Sequence, residues 1–228
     1  MIANRKQFTL GFGMMAGFAV VLVTIFLPIF DGQNGLNYLD SLYNSISKAS
    51  ANYLEELGKK AHKFEGKSIS LTLPLGDPKL AEQAAPLFAR AGALAQASGP
   101  DLKVEGDLGL ILANCLEDAG NMFENRGEAV SGKYGIPERQ AMFNWWKSLK
   151  ALEKGLNELE MFPEGSAVSS VNQKGVECVY NYYQIVPKKI SEKWGTVVLS
   201  LVFYVGYTIW YGFAILFLFQ GVGLRLEH

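Results

Sequence analysis

Two long apolar runs without an acidic or basic residue lie near the two ends of the chain. The first covers residues 8–30 and the second covers residues 196–221. A helix of about 20 apolar residues crosses a hydrocarbon core of ~30 Å, and lipid favours helices because it satisfies no backbone N–H or C=O group. The pattern predicts a mostly α membrane protein: a two-helix transmembrane hairpin, a large extracytoplasmic helical domain at 31–195, and short tails at 1–7 and 222–228.

Basic residues around the first run predict the orientation of this hairpin. Arg5 and Lys6 precede the run, and basic residues concentrate on the cytoplasmic side of membrane helices, so both termini are expected in the cytoplasm. The second run argues the opposite way, because its loop side carries a basic cluster made of Lys188, Lys189 and Lys193. Long loops carry less weight in this rule. We therefore expect a bacterial inner-membrane protein with residues 31–195 in the periplasm, an expectation that the lack of an Asn-x-Ser/Thr sequon favours.

Between the apolar runs, spacings of three and four between apolar residues predict helices over 34–64, 108–126 and 137–161, and a last helix over about 165–194. Residues 127–135 contain several glycines and are expected to form a loop. Three acidic residues of the second of these helices occupy its polar side and are expected to face solvent: Glu117, Asp118 and Glu124.

A short stretch of alternating residues predicts strands inside this helical region. Residues 68–74 alternate polar and apolar with a period of two, as a half-buried strand does. Asp77 and Pro78 then stand in the order that starts a helix, which should run to about residue 97 before a second strand at 102–104. Because a helix between two strands most simply makes them parallel, residues 67–105 are predicted to form a small βαβ insert.

The helix that follows Pro137 has the most regular apolar stripe in the soluble region. Trp145 and Leu152 lie on this stripe and are expected in the core, and Phe143 and Trp146 widen it. A binding groove could use such aromatic residues, but core packing is the preferred interpretation.

Small and hydroxyl-bearing residues mark two faces of the apolar runs. Gly13 and Gly17 form a small-xxx-small pattern, which allows close helix contact either within the hairpin or between subunits. In the second run, steps of four, three and four place four hydroxyl groups on one face: Ser200, Tyr204, Tyr207 and Tyr211. Polar side chains at such depth usually face protein or a water-filled cavity. Hydrogen bonding to a neighbouring helix is the preferred interpretation and a lumen is the alternative.

The composition and the reactive residues of the chain argue against several classes of function. The formal net charge of −1 implies no nucleic-acid partner. Residues 226–228 resemble a tag remnant, so His62 is the remaining histidine, and no nucleophile–base pair or ligand cluster can be assembled. We therefore expect no enzyme activity, cofactor or metal site. In an oxidising compartment, Cys115 and Cys178 are expected to form a disulfide.

Two functions are consistent with this pattern. The first is a homo-oligomeric membrane assembly, for instance a channel or transport component, built through the glycine and hydroxyl faces. Because two helices cannot enclose a pore, this function requires several copies. The alternative is a membrane-anchored accessory or scaffold subunit whose outer domain docks another membrane or periplasmic protein. Membrane lipids are expected partners in both cases, and the three lysines near residue 190 can bind lipid phosphates or favour anions at a channel mouth.

Overall fold

The structure is a computed structural model that describes residues 2–224, and it is mostly helical. The chain divides into two compact units. The hairpin unit consists of Met1–Ile46 and Pro187–His228, and the inserted unit is Ser47–Val186. The ends of the two predicted tails, residue 1 and residues 225–228 with the tag remnant, lie outside the described residues.

Two long helices dominate the hairpin unit: α1 (Arg5–Phe26) and α10 (Ile190–Val222). At 1.5 Å per residue they measure roughly 33 and 50 Å, which exceeds a hydrocarbon core of ~30 Å. Both are apolar enough as well as long enough to cross a membrane, in agreement with the predicted spans. Helix α1 ends four residues earlier than predicted, because Pro28 favours an extended conformation at Leu27.

Two shorter helices replace the single helix predicted for residues 34–64. They are α2 (Gly35–Ser50) and α3 (Leu54–His62), separated by three non-helical residues. The periodicity of three and four therefore identified the secondary structure correctly but not the break.

The small sheet is antiparallel, so the predicted parallel βαβ insert is wrong. Three strands, β1 (Ser68–Pro74), β2 (Leu94–Ser98) and β3 (Asp101–Asp107), pair in the order β1-β3-β2 with antiparallel partners throughout. The intervening helix α4 (Pro78–Arg90) begins at the predicted Asp77 cap but ends early. Gly92 has a φ of +82°, and the residues after it form β2, which returns through the tight turn at Gly99 and Pro100 into β3.

The remaining helices of the inserted unit are α5 (Leu108–Phe123), α6 (Gly127–Tyr134), α7 (Glu138–Glu158), α8 (Phe162–Ser170), a π-helix (Val171–Glu177) and α9 (Cys178–Tyr182). Helix α6 forms where a loop was expected. The predicted continuous helix over 165–194 is also wrong. It is interrupted over residues 183–189, where Gln184 adopts a φ of +69° and Pro187 has no N–H to donate.

The core of the inserted unit lies between α3, α4, α5, α7, the π-helix and the sheet. Trp145 and Leu152 of α7 are both 0% exposed, which confirms that this stripe of α7 is core. Phe88 packs against the Trp145 ring, with 5.2 Å between the ring centroids.

The predicted disulfide is not formed, and Cys115 and Cys178 are both free thiols. Cys115 lies in the core on α5, where burial raises the pKa of its thiol well above the ordinary value. Cys178 begins α9 and directs its Sγ toward the Ala51 carbonyl oxygen, 3.5 Å away. The two side chains thus have different partners.

Candidate functional site

The predicted glycine contact forms inside the hairpin and uses only one of the two predicted glycines. A Cβ at Gly17 would lie 3.0 Å from Cζ2 of Trp210 on α10, whereas a Cβ at Gly13 would meet nothing within 4 Å. Two other glycines make closer contacts between α1 and α10. A Cβ at Gly11 would lie 2.6 Å from the Leu218 nitrogen, and one at Gly221 would lie 2.6 Å from Phe8 Cα.

Sequence reasoning missed Gly11 because several glycines of α1 suit a helix contact equally well. Gly11 and Gly13 are two residues apart and therefore lie about 200° apart around the helix axis. Only the position of the partner helix decides which of these two faces is buried. Gly11 is buried and Gly13 is exposed.

The four residues of the predicted hydroxyl face have different environments. Ser200 Oγ and Tyr43 Oη are 2.7 Å apart, and Tyr207 Oη donates to the Phe18 carbonyl oxygen at 3.3 Å. The Tyr211 ring packs against the Phe18 ring at 4.9 Å, while Tyr204 is 68% exposed. Most of this face is therefore occupied by contacts within the hairpin unit.

The three lysines of the predicted basic cluster surround the start of α10. Lys188 and Lys189 are exposed and Lys193 is half-buried, and Lys189 is the N-cap residue of α10. The Lys188 backbone N–H donates to the Ser45 carbonyl oxygen at 3.1 Å. Trp194 follows and is 66% exposed, as is typical of a tryptophan at a membrane interface.

A cleft in the inserted unit is a candidate binding site. It encloses about 290 Å³ between α7 and the segment formed by the π-helix and α9. Its lining residues are Phe143, Trp146, Val176, Glu177, Tyr180 and Asn181. This volume is close to the lower end of the range of small-ligand pockets, which starts at roughly 300 Å³.

Helix geometry explains why α7 contributes to both the core and the cleft. Trp145 points into the core, and Trp146 is one residue later, so it lies about 100° around the helix and is only half-buried. Phe143 precedes Trp146 by three residues, and the two ring centroids are 5.8 Å apart. The aromatic pair thus forms one wall of the cleft.

The π-helix positions the opposite wall. Its wider turn places Val176 and Glu177 opposite α7, and such π-helical turns are frequent at functional sites. Trp146 Nε1 donates to Glu177 Oε1 at 2.6 Å, which joins the two walls. Asn172 Nδ2, also on the π-helix, donates to the Trp146 carbonyl oxygen at 3.3 Å.

Basic side chains lie on the aromatic residues around the cleft. Lys147 Nζ is 5.1 Å from the Trp146 ring centroid, and Lys150 Nζ is 5.4 Å from the same ring. Arg139 Cζ lies 5.7 Å from the Tyr180 centroid at the other end. Glu177, and Glu138 beside Arg139, offset part of the charge of these three cations, so the rim keeps a positive excess while the walls are apolar. The cleft therefore suits a ligand that combines an apolar group with negative charge.

A buried polar network lies on the other side of α7, and sequence reasoning missed it. Asp118 is 0% exposed, although it was expected to face solvent. Its carboxylate accepts hydrogen bonds from Lys133 Nζ at 2.8 Å, Tyr134 Oη at 2.5 Å and Trp145 Nε1 at 2.8 Å. Burial, followed by the Asp118 hydrogen bond, raises the pKa of Tyr134 above its usual range. The network connects α5, α6 and α7.

A buried lysine joins the two ends of the inserted unit. Lys48 is 0% exposed, and its Nζ donates to Asn125 Oδ1 at 2.9 Å and to the Ile185 carbonyl oxygen at 2.6 Å. Burial lowers the pKa of Lys48. The Phe123 ring lies 5.2 Å from the ammonium group. These partners are neutral. Lys48 therefore holds the two ends of the inserted unit together through hydrogen bonds, and it forms no ion pair with a carboxylate among the described residues.

Within residues 2–224, no three metal-ligating side chains come together. No protein-family model, curated protein or solved structure matches the chain. The functional argument therefore rests on the geometry of the cleft and of the two long apolar helices.

Proposed function

We propose that the protein is a membrane-anchored accessory subunit whose inserted unit docks a partner through the aromatic cleft. The observation that carries this proposal is the positive, apolar-walled cleft between α7 and the π-helix. The anchoring part rests on α1 and α10, whose apolar side chains remain exposed along most of their length, as lipid contact requires.

The proposed topology places both termini in the cytoplasm of a bacterium and residues 31–195 in the periplasm. A cysteine introduced at the exposed Lys154, in a Cys178→Ser background, should react with a membrane-impermeant maleimide on intact spheroplasts. Cys115 is buried and provides an internal control for background labelling. Labelling that requires disruption of the inner membrane would mean that the orientation is inverted.

The partner that suits the cleft is an acidic protein segment with an aromatic or large apolar side chain. The apolar side chain would contact Phe143, Trp146 and Tyr180, and the acidic groups would lie near Arg139, Lys147 and Lys150. Buried tryptophans are frequently the residues that dominate binding energy. Charges at the rim mainly raise the association rate and the specificity.

A peptide-binding experiment tests this proposal. The full chain in nanodiscs should bind fluorescent peptides that carry one tryptophan among aspartates, in preference to the same peptides with lysines in place of the aspartates. Trp146→Ala should weaken binding at least about tenfold. Lys147→Gln with Lys150→Gln should reduce the preference for acidic peptides and should lower the salt dependence of binding.

A matched control is available on the same helix. Lys154 of α7 is exposed, pairs with Glu158 at 3.8 Å and is not among the residues that line the cleft, so Lys154→Gln should leave peptide binding unchanged. Equal binding of acidic and basic peptides, or an equal loss in the Lys154 variant, would show that general charge and not the cleft causes binding.

A homo-oligomeric assembly, in the form of a channel or transport component, is the second candidate function. Tyr204 favours it, because this tyrosine is 68% exposed on α10 and a polar side chain within a membrane span usually faces protein or water. Tyr204→Phe should then lower the mass of the assembly in mild detergent, or change ion flux in reconstituted vesicles. If the wild-type protein is a monomer in nanodiscs, the oligomeric assembly is ruled out and the accessory role remains.

A further inference from the structure

The hairpin unit contains a groove that the proposed docking function does not use. It has a volume of about 810 Å³ and lies beside the exposed face of α1. Its lining residues are Lys6, Thr9, Leu10, Gly13, Met14 and Trp210. The groove exists because Gly13 has no side chain and because no atom lies within 4 Å of the position of its missing Cβ.

The indole of Trp210 forms the end of the groove that is farther from the start of α1. Its Nε1 donates to the Met14 carbonyl oxygen at 3.1 Å, which fixes the ring across α1. The same ring covers Gly17, whose Cβ would lie 3.0 Å from Cζ2. The groove therefore does not continue along α1 past this ring.

Lys6 forms the end of the groove nearest the start of α1, and it is the charged residue among those that line the groove. It is exposed and forms no ion pair within residues 2–224. The neighbouring Thr9 hydroxyl already donates to the Arg5 carbonyl oxygen at 2.9 Å. The groove thus has one positive end and apolar walls of Leu10, Met14 and Trp210.

We propose that this groove binds one anionic phospholipid, with an acyl chain along Gly13 and the phosphate at Lys6. The proposal rests on the membrane anchoring proposed above. Lys6 to Met14 spans about 12 Å along the helix axis, which is within one leaflet of a hydrocarbon core of ~30 Å. A lysine near a helix end extends its ammonium group to the level of the lipid headgroups.

The same geometry disfavours a helix from a second copy as the occupant. Close packing through small residues needs both glycines of the Gly13-x-x-x-Gly17 pattern on a free surface. Here Gly17 is already covered by Trp210 of the same chain. In addition, a partner helix would follow α1 across both leaflets, whereas the groove ends at the Trp210 ring.

Native mass spectrometry of the full chain tests the proposal. The protein is extracted from membranes of phosphatidylcholine and phosphatidylglycerol in equal amounts, and the bound lipids are counted. The wild type should retain phosphatidylglycerol about fivefold over phosphatidylcholine, as expected for one lysine near an anionic headgroup. Lys6→Gln should reduce this preference toward one while some lipid remains bound, and Gly13→Leu should remove the bound lipid of both types.

Gly206→Leu is the matched control for the glycine substitution. Gly206 lies on α10, has nothing within 4 Å of its Cβ position and is not among the groove residues, so its substitution should change neither lipid count nor preference. Arg5→Gln is the control for charge, since Arg5 lies beside Lys6 but outside the groove. A loss of preference that is equal in the Arg5 and Lys6 variants would overturn the proposal, because general charge would then explain it.

Three further results would overturn it in distinguishable ways. If Gly13→Leu lowers the mass from dimer to monomer and leaves lipid retention unchanged, the occupant is a second copy. If the wild type is released from membranes by alkaline carbonate, the anchoring itself is wrong. If the protein resists carbonate but retains no lipid in preference, the proposed lipid site is wrong, whereas the proposed membrane anchoring and the proposed cleft function are unaffected.

Discussion

Trp145 and Trp146 are adjacent in α7, and each donates its indole N–H to a carboxylate, yet the two regions differ in almost every other respect. Trp145 donates to Asp118 at 2.8 Å inside the core, and Trp146 donates to Glu177 at 2.6 Å at the open cleft. Asp118 is fully buried and receives two further hydrogen bonds, from Lys133 and Tyr134. Glu177 is only half-buried.

This difference in burial between Asp118 and Glu177 indicates that the Asp118 network stabilises the fold and that the Trp146 region is a binding surface. A buried carboxylate requires every one of its donors, because an unsatisfied charge in the interior is costly. A half-exposed carboxylate can exchange a lost donor for water at little cost. We therefore expect substitutions around Asp118 to change the free energy of unfolding, and substitutions around Trp146 to change ligand binding while leaving stability nearly unchanged.

The largest expected effect is that of Asp118→Ala. It leaves the Trp145 indole and the Tyr134 hydroxyl without their acceptor, and it removes the buried carboxylate from Lys133, which keeps Asn114 Oδ1 at 2.6 Å. Such removal of one partner from a buried pair costs about 3–5 kcal/mol. Denaturant unfolding of the full chain in detergent, followed by tryptophan fluorescence, measures the change. A loss below about 1 kcal/mol would mean that water reaches the network, since exposed ion pairs contribute at most that much.

Alkaline pH should weaken the same region. The folded-state pKa values of Cys115 and Tyr134 lie above their ordinary values of 9.0 and 10.0. The contribution of these two groups to the free energy of unfolding is therefore fully present below pH 9. It is lost as the pH rises from the ordinary pKa values toward the folded-state pKa values, because the groups ionise first in the unfolded chain. Each group can lower the free energy of unfolding by about 1.4 kcal/mol per pH unit in that window.

Comparison of Cys115→Ala with the wild type isolates one of these two contributions. The variant should show a smaller decrease in the free energy of unfolding between pH 8.5 and 9.5, whatever its stability at neutral pH. Burial raises the pKa of the half-buried Cys178 thiol as well, so Cys178→Ala should reduce the same decrease by a smaller amount than Cys115→Ala. Identical pH profiles for the wild type and the Cys115 variant would contradict the assignment.

Trp145→Phe should have a smaller effect than the loss of Asp118. It keeps most of the ring volume but removes the indole donor, so Asp118 retains two of its three hydrogen bonds. The loss of a hydrogen bond to a charged, buried group costs about 1.5–3 kcal/mol. The same unfolding measurement applies, and a neutral result would show that Lys133 and Tyr134 are sufficient for Asp118.

Trp146→Phe should have the smallest effect on stability, about 0.5 kcal/mol or less, because water can replace the lost donor at Glu177. Its effect on binding of acidic peptides should exceed its effect on unfolding. If Trp146→Phe destabilises the chain as much as Trp145→Phe does, the two regions are not functionally distinct and the cleft is part of the core.

The sequence was informative wherever a property depends on local spacing. Helix lengths and apolar runs are encoded over contiguous residues, so α1, α10 and the buried stripe of α7 could be predicted. The cap at Asp77 is likewise local, and its side chain accepts a hydrogen bond from the Lys79 backbone N–H at the start of α4. The strand at residues 68–74 also follows from its alternation.

Only the tertiary structure decided the features that depend on which face meets which partner. Asp118 looks like any polar helix residue until α6 places Lys133 and Tyr134 against it. Gly11 and Gly13 are equivalent in the sequence until α10 packs on one of them, and the free state of Cys115 and Cys178 depends on separate neighbours. These outcomes depend on contacts between residues far apart in the chain, and periodicity within one segment contains no information about them.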